Sequence, residues 1–412
     1  MGAANARNRA VILVLALAFV VRAGLVLATP HYALTADPAD YDRIARALAD
    51  LHHFPSSTLG HGPTAYRPPG YPVFLAIVYA VAGHSLLVAR LLQAVLGTVA
   101  VALLGYIVAL LWDARAAIAA MAIAAVLPSL ALLSAVVMSE ALFLPLVLAA
   151  FAAAVTARTA RRPWRWAAAA GLLAGLAILT RANGVVVLPS LVLLAAAAPV
   201  PWRARVASGA AVLGVAALTV APWTVRNARE FHRFVPVTTE GGFTLAGTYN
   251  DDARHNRFPG AWTEWYRVPV YRHLATTAPN EAVGGARVEH AARRYADEHP
   301  GYVVSVWLHN TGRTLQLESV PSYAYYDAGG IGLTKPVAIA SLAGFYALVL
   351  LALLGALTPA ARAAPLSLWL TPLLTFALFV IVAYFRFRVT IEPFMMMLAA
   401  LPVAARATVL PR

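Results

Sequence analysis

Residues 10–28 read AVILVLALAFVVRAGLVLA, an almost unbroken apolar run. At about 1.5 Å of rise per residue, a helix of this length covers the roughly 30 Å of hydrocarbon in a bilayer. The run is longer than the core of a secretory signal and has no small-residue cleavage site, which predicts a retained span. Working outward, similar runs recur at 86–112, 116–135, 138–156, 166–181, 184–200, 206–223, 336–357, 366–385 and 389–405, making about ten candidate transmembrane helices. The fold class that follows is all-α, a polytopic helical membrane bundle, with residues 1–412 forming one membrane domain. Composition points the same way. The chain is 61% hydrophobic and 12% charged with a mean hydropathy of +0.70, whereas soluble domains carry about 25% charged residues.

Charge sets the expected orientation. Arg7 and Arg9 precede the first run, so the N-terminus is expected in the cytoplasm. Every second loop should then be basic, and the loops at Arg115, at Arg158, Arg161, Arg162 and Arg165, at Arg203 and Arg205, at Arg362 and in the tail at Arg406 and Arg412 satisfy this. Lys335 is the one lysine, so 31 of the 32 basic residues are arginines. They account for the net charge of +14 as loop anchors, and no nucleic-acid partner is expected. The absence of cysteine excludes disulfides, thiolate metal sites and a cysteine nucleophile. No Walker loop, Gly-x-Ser-x-Gly elbow or His-Glu-x-x-His motif occurs, which removes the corresponding ATPase, serine hydrolase and zinc protease readings.

Two external segments are too long and polar to be connectors. The first, 30–85, should hold juxtamembrane helices: one from Asp40 to Leu51 with Tyr41, Ile44, Ala45 and Leu48 on one face, and a short apolar one over Tyr71–Gly83. The second, 224–335, should be mostly helical, with an amphipathic helix over Glu281–Arg294 and another over Gly301–Leu317; residues 336–412 then supply the C-terminal transmembrane helices.

Ionisable residues at the ends of apolar runs are costly and draw attention to themselves. Glu140, Arg181, Arg226, Arg386, Arg388 and Glu392 all fall at the expected outer face. Each arginine can be a headgroup anchor and Glu140 a helix N-terminal charge. Together, guanidinium groups at one depth suit a lipid phosphate, because the planar fork pairs bidentately with phosphate oxygens. In Asp37-Pro38-Ala39-Asp40-Tyr41-Asp42, Asp37 reads equally as a helix N-cap with Pro38 near the first helical position, or as a general base. His52, His53 and His61 match no closed metal site; the metal ligands are unknown, and a loosely held divalent cation assisting a leaving phosphate is the one candidate cofactor.

Ala36-Asp37, Tyr41 and Ala45, followed by Tyr66-Arg67-Pro68-Pro69-Gly70-Tyr71-Pro72, resemble the first outer loop of GT-C glycosyltransferases that use polyprenyl-phosphate sugars. These include the protein O-mannosyltransferases and the lipid A aminoarabinose transferases. Ser139-Glu140, Leu179-Thr180-Arg181, Pro222-Trp223 with Arg226-Asn227, Arg386-Phe387-Arg388 with Pro393, and Ala291, Arg294 and His299-Pro300 extend the likeness in the same order. The resemblance implies a membrane bundle with its site at the outer face, on the periplasmic side of a bacterial inner membrane. It implies Asp37 as the catalytic acid, with Pro38 standing where several branches have a second acid and Asp40 as the substitute. It also places Arg67 at the donor phosphate. The implied reaction is a single inverting displacement. A sugar passes from a polyprenyl-phosphate donor to a glycan, lipid or protein acceptor, with Arg181, Arg226, Arg386 and Arg388 as further phosphate ligands and Asp40, Tyr41, Tyr66 and Glu140 in support. Trp262, Trp265, Tyr323 and Tyr326 would line a sugar cleft or form an interfacial belt. A flippase of lipid-linked sugars and a ligase or polymerase using a pyrophosphate-linked donor are the alternatives; the repeated halves of transporters are absent from the sequence.

Overall fold

A computed structural model describes residues 2–59, 62–318, 335–381 and 385–404 of the protein. Among them the regular elements are helices, and the one β contact is an isolated bridge between Ser56 and Pro63. Helix α1 (Gly2–Leu27) leads into α2 (Ala36–Leu51) and α3 (Gly70–Ala82) of the first external segment. The bundle continues through α4 (Leu86–Leu111), α5 (Ala114–Val126), α6 (Pro128–Leu132), α7 (Glu140–Ala157), α8 (Pro163–Thr180), α9 (Leu188–Ala196) and α10 (Trp202–Phe231). A cap follows, made of α11 (Glu240–Thr248), α12 (Asp251–Arg254), α13 (Pro269–Thr276), α14 (Glu281–Glu298) and α15 (Pro300–Thr314). The chain returns to the bundle in α16 (Lys335–Ala356), α17 (Pro359–Arg362), α18 (Leu366–Ile381) and α19 (Glu392–Ala399).

Five helical stretches among the described residues are long and apolar enough to cross a membrane alone: Asn5–Leu27, Leu86–Leu111, Glu140–Ala157, Trp202–Phe231 and Ile339–Ala356. Of the other expected spans, 166–181 falls on the unbroken 18-residue α8, and 116–135 is helical but interrupted for a local reason. The run over 116–135 breaks at Leu127, which takes an extended ψ of 119° because the next residue is Pro128. The carbonyls freed at the end of α5 are met by Arg22 of α1, whose Nη2 donates to Ala124 O at 2.9 Å and Nη1 to Ala125 O at 3.1 Å. The expected boundary at residue 224 is crossed without a break: α10 runs on to Phe231 and ends only where His232 turns left-handed, at φ +52°. Close approach of α8 to α10 depends on Gly171, where a Cβ would lie 2.5 Å from the Val212 carbonyl oxygen.

The bundle core is a contiguous cluster running from α1 through α4, α5, α7, α8 and α9 to α19. The cap has its own core of Phe243, Tyr249, Trp265, Tyr271, Val288 and Tyr302, and α14 and α15 fall where the sequence pattern set them. Helix α2 packs on α3, and its Tyr41, Ile44 and Ala45 are buried as the helical spacing predicts.

Candidate active site

Helix α2 carries two sets of acids on different faces. Asp42 anchors the structural side: it is buried, accepts from Tyr79 Oη at 2.8 Å, lies 2.6 Å from His84 Nε2 and pairs with Arg46 Nε at 3.0 Å. Asp37 and Asp40 point instead to Arg67, which the loop before α3 brings back against α2. The cap expected at Asp37 is displaced. Thr35 occupies the N-cap position, Asp37 is the second helical residue and Pro38 the third, and the entry is turned by Ala36 at φ +49°, a conformation alanine rarely adopts.

Arg67 is the centre of the site. Its Nε donates to Asp40 Oδ2 at 3.0 Å, its Nη1 to Glu240 Oε1 at 2.7 Å and its Nη2 to Asp37 Oδ1. The guanidinium lies beside the Tyr66 ring, 4.9 Å from its centroid, and the Tyr41 ring at 5.3 Å. Burial alone would depress the Arg67 guanidinium, yet Asp37 and Glu240 beside it hold it well above its ordinary value. The phenols of Tyr41 and Tyr66 are pushed up by burial, so both stay neutral and serve as polar walls.

A second polar cluster joins α2 to the bundle. Tyr41 Oη donates to Ser139 Oγ at 3.1 Å, Arg181 Nη1 donates to the same oxygen at 2.9 Å and meets Glu140 Oε1 at 2.8 Å, and Ser139 Oγ donates to Glu140 Oε2 at 3.2 Å. Tyr41 thus connects the Arg67 acids with the Arg181–Glu140 pair. A cavity of about 570 Å³ opens between them. Tyr41, Arg67, Pro68, Thr180, Arg181 and Asn183 line it from the bundle side, and Thr238, Glu240, Leu245, Tyr249 and Arg293 from the cap; Leu378, Phe379 and Ile381 of α18 add an apolar wall.

The structure therefore brings Asp37, Asp40, Tyr41, Tyr66, Arg67, Glu140 and Arg181 together, with Tyr41, Arg67 and Arg181 on the cavity itself. Arg226 and Arg388 are placed elsewhere. Arg226 donates to Thr64 O at 3.0 Å and lies over the Trp223, Phe54 and Phe231 rings. Arg388 is buried against Glu392 at 2.8 Å and over the Phe345 ring. The side chain of Arg386 lies outside the described residues, as do His61, Tyr323 and Tyr326. Trp265 is buried in the cap core, 4.7 Å from the Phe243 ring, and does not line the cavity. For a divalent cation the fit is poor: the three acids converge on Arg67, and among the described residues no group of three His, Asp or Glu side chains is arranged to hold a metal.

Glu240 and Arg293 are site residues that sequence reasoning missed. Glu240 opens α11 in Thr238-Thr239-Glu240-Gly241-Gly242, and the one signal was an acid in a helix first turn within a polar stretch. Arg293 lines the cavity from α14 and is held by Glu289 at 2.7 Å, a pair that looks like ordinary i,i+4 surface spacing.

A family model described as dolichyl-phosphate-mannose-protein mannosyltransferase matches residues 66–225, beginning at Tyr66 and ending just before Arg226. No curated protein matches the chain in sequence. Among solved structures, the oligosaccharyltransferase AglB of Archaeoglobus fulgidus, in complex with an inhibitory peptide and a dolichol-phosphate, is similar with a TM-score of 0.57 at 15% identity, over 95% of this chain and 50% of that one. The Archaeoglobus fulgidus oligosaccharyltransferase tethered to an acceptor peptide gives 0.53 at 14% identity, over 95% and 49%. ArnT of Cupriavidus metallidurans bound to undecaprenyl phosphate gives 0.44 at 17% identity, over 96% and 77%. The chain spans about half the length of the archaeal protein, and the likeness to it is one of fold, the GT-C membrane fold expected from the sequence.

Proposed function

We propose that the protein is a membrane glycosyltransferase that moves a sugar from a polyprenyl-phosphate donor to a hydroxyl acceptor. The observation that carries this reading is the composition of the cavity wall: three arginines, Arg67, Arg181 and Arg293, against one acid, Glu240, face the same space as Leu378, Phe379 and Ile381 of a bundle helix. Such a wall suits a ligand with an anionic head and a hydrocarbon tail. The family match over 66–225 and the shared fold support the same class.

In the proposed reaction Asp37 takes the proton from the acceptor hydroxyl as that oxygen attacks the anomeric carbon. The bond between that carbon and the phosphate oxygen breaks in the same step with inversion, and polyprenyl phosphate departs with the electron pair. Arg67 pairs with Asp37 and orients it, and Arg181 meets the charge developing on the leaving phosphate.

The test is to incubate the purified protein with a panel of polyprenyl-phosphate sugars and to follow released polyprenyl phosphate by mass spectrometry. Release with one donor, dependent on acceptor, supports the reading; no release with any donor, from protein that binds none of them, overturns it. The proposed setting is a bacterial inner membrane with the cavity outside. A reporter fused after Arg162 should be cytoplasmic and one fused within 250–300 external, and an external signal at Arg162 would reverse the orientation.

A further inference from the structure

Glu281 is a buried carboxylate that the proposed chemistry does not use. It accepts four hydrogen bonds: from Ser57 Oγ at 2.5 Å, Thr64 Oγ1 at 2.8 Å, Ala65 N at 2.9 Å and Thr239 Oγ1 at 2.5 Å. Removing a carboxylate from water is expensive, and four donors offset that cost. The helix it begins does not need it, because Asn280 caps α14 by accepting from Val283 N at 3.0 Å. The donors belong to two loops that converge on the cavity. Ala65 is two residues before Arg67, and Thr239 is one before Glu240.

The loops are also joined to each other. Thr239 N donates to Ala65 O at 3.0 Å and Thr238 Oγ1 to Tyr66 O at 2.5 Å, while the same Thr238 oxygen accepts from Glu240 N at 3.0 Å. Thr64 Oγ1, donating to Glu281, accepts from Tyr66 N at 3.1 Å. The hydroxyls of Ser57, Thr64 and Thr238 each give one bond and take another, and Thr239 gives one from its hydroxyl and one from its backbone N–H.

We propose that Glu281 is a positioning residue: its carboxylate fixes the loop presenting Arg67 and the loop presenting Glu240 in the one register that lets the two side chains meet. A neutral amide does this less well, because one of its two ends becomes an NH2 donor: either Ser57 and Thr64 must turn their hydroxyls to accept, or the Ala65 N–H loses its acceptor. The inference rests on the transferase reading for its kinetic consequence alone; the geometric claim stands without it.

The experiment uses the full-length protein in lipid nanodiscs. Hydrogen exchange and donor kinetics are measured for Glu281→Gln, for Thr239→Val, which removes one donor, and for Thr64→Val, which removes one donor and the acceptor of Tyr66 N. Expected is exchange at least tenfold faster in peptides covering 62–67 and 238–241 together, with peptides of α7 unchanged. Turnover per folded molecule should fall at least tenfold in Glu281→Gln, with Glu281→Asp recovering part of it. Thr239→Val should loosen 62–67 as well as its own loop. Unchanged exchange in both loops, loosening of one loop alone, or a uniform rise across the protein with normal turnover per folded molecule would each overturn the proposal. If no donor is turned over by the wild type, the exchange result still decides the claim about the loops.

Discussion

Arg67 and Glu240 stand 173 positions apart in the chain and 2.7 Å apart in the fold. One comes from the first external segment and the other from the cap, so their ion pair closes the two external segments over a common cavity. Asp37 and Asp40 hold the same guanidinium from α2, and one arginine therefore organises three acids delivered by two segments. The arrangement explains why the acids can sit so close together: without the cation they would repel one another.

Replacing Arg67 should separate charge from geometry. Arg67→Ala leaves Asp37, Asp40 and Glu240 facing each other, so thermal stability and turnover should both fall, turnover by at least 100-fold. Arg67→Lys keeps the charge but not the three-pronged fork. Each lost contact to a charged group is worth about 1.5–3 kcal/mol, and turnover in the lysine variant should fall about 10- to 100-fold with a smaller loss of stability. Full turnover by Arg67→Lys, measured as released polyprenyl phosphate, would show that the fork is not used.

Arg388 makes the contrasting case. The sequence points to a phosphate ligand, whereas the structure buries Arg388 with Glu392, which also accepts from Ser129 Oγ at 2.7 Å. Arg388→Ala strands a buried carboxylate, at a cost of about 3–5 kcal/mol. Unfolding in detergent should show that loss with the KM for donor unchanged, and Arg388→Met with Glu392→Gln should recover most of it. A raised donor KM without loss of stability would restore the phosphate role.

The cap should weaken in alkali. Tyr271 is buried and donates to Tyr249 O at 2.7 Å, and burial raises its phenol from 10 to about 12. Between those values the folded state holds a proton that the unfolded state has lost, so stability is intact below pH 10 and declines as pH rises to about 12. Denaturation midpoints measured across that window should fall, and less steeply in Tyr271→Phe. Equal slopes in the two proteins would remove Tyr271 from the account.

How much of this was legible in the sequence differs by residue. Hydropathy located the bundle helices, and helical spacing located α2, α14 and α15, because burial of one face leaves a periodic trace. The acid and arginine of the first segment, Asp37 and Arg67, lie within 30 positions and carry a recognisable local pattern. Glu240 left no such trace, since its partner is set by the fold of the whole chain. Arg226 and Arg388 show the complementary failure: a position at the end of an apolar run gives depth in the membrane but not the direction a side chain faces. The break at Leu127 was carried by Pro128 alone, against an otherwise continuous apolar run.

Under the proposed reaction, two acids on Arg67 compete for the role of base. Asp37 sits on α2 at the position the family resemblance marks, while Glu240 lines the cavity from the cap, and both bond the same guanidinium. Amide replacements discriminate, because each keeps the size of the side chain and an oxygen that can still accept from Arg67. Asp37→Asn leaves the entry to α2 intact, as the cap position belongs to Thr35. Loss of a general base costs about 10²- to 10⁴-fold, so Asp37→Asn protein that still binds donor should fall by at least 100-fold in turnover. Glu240→Gln should fall less, through looser placement of Arg67, and Asp40→Asn less again, since Asp40 is shared with Arg43 at 2.9 Å. The pH profile separates the roles further: the acidic limb should vanish with the base and persist in the other two variants. A larger loss in Glu240→Gln, together with disappearance of its acidic limb, would move the base from α2 to the cap.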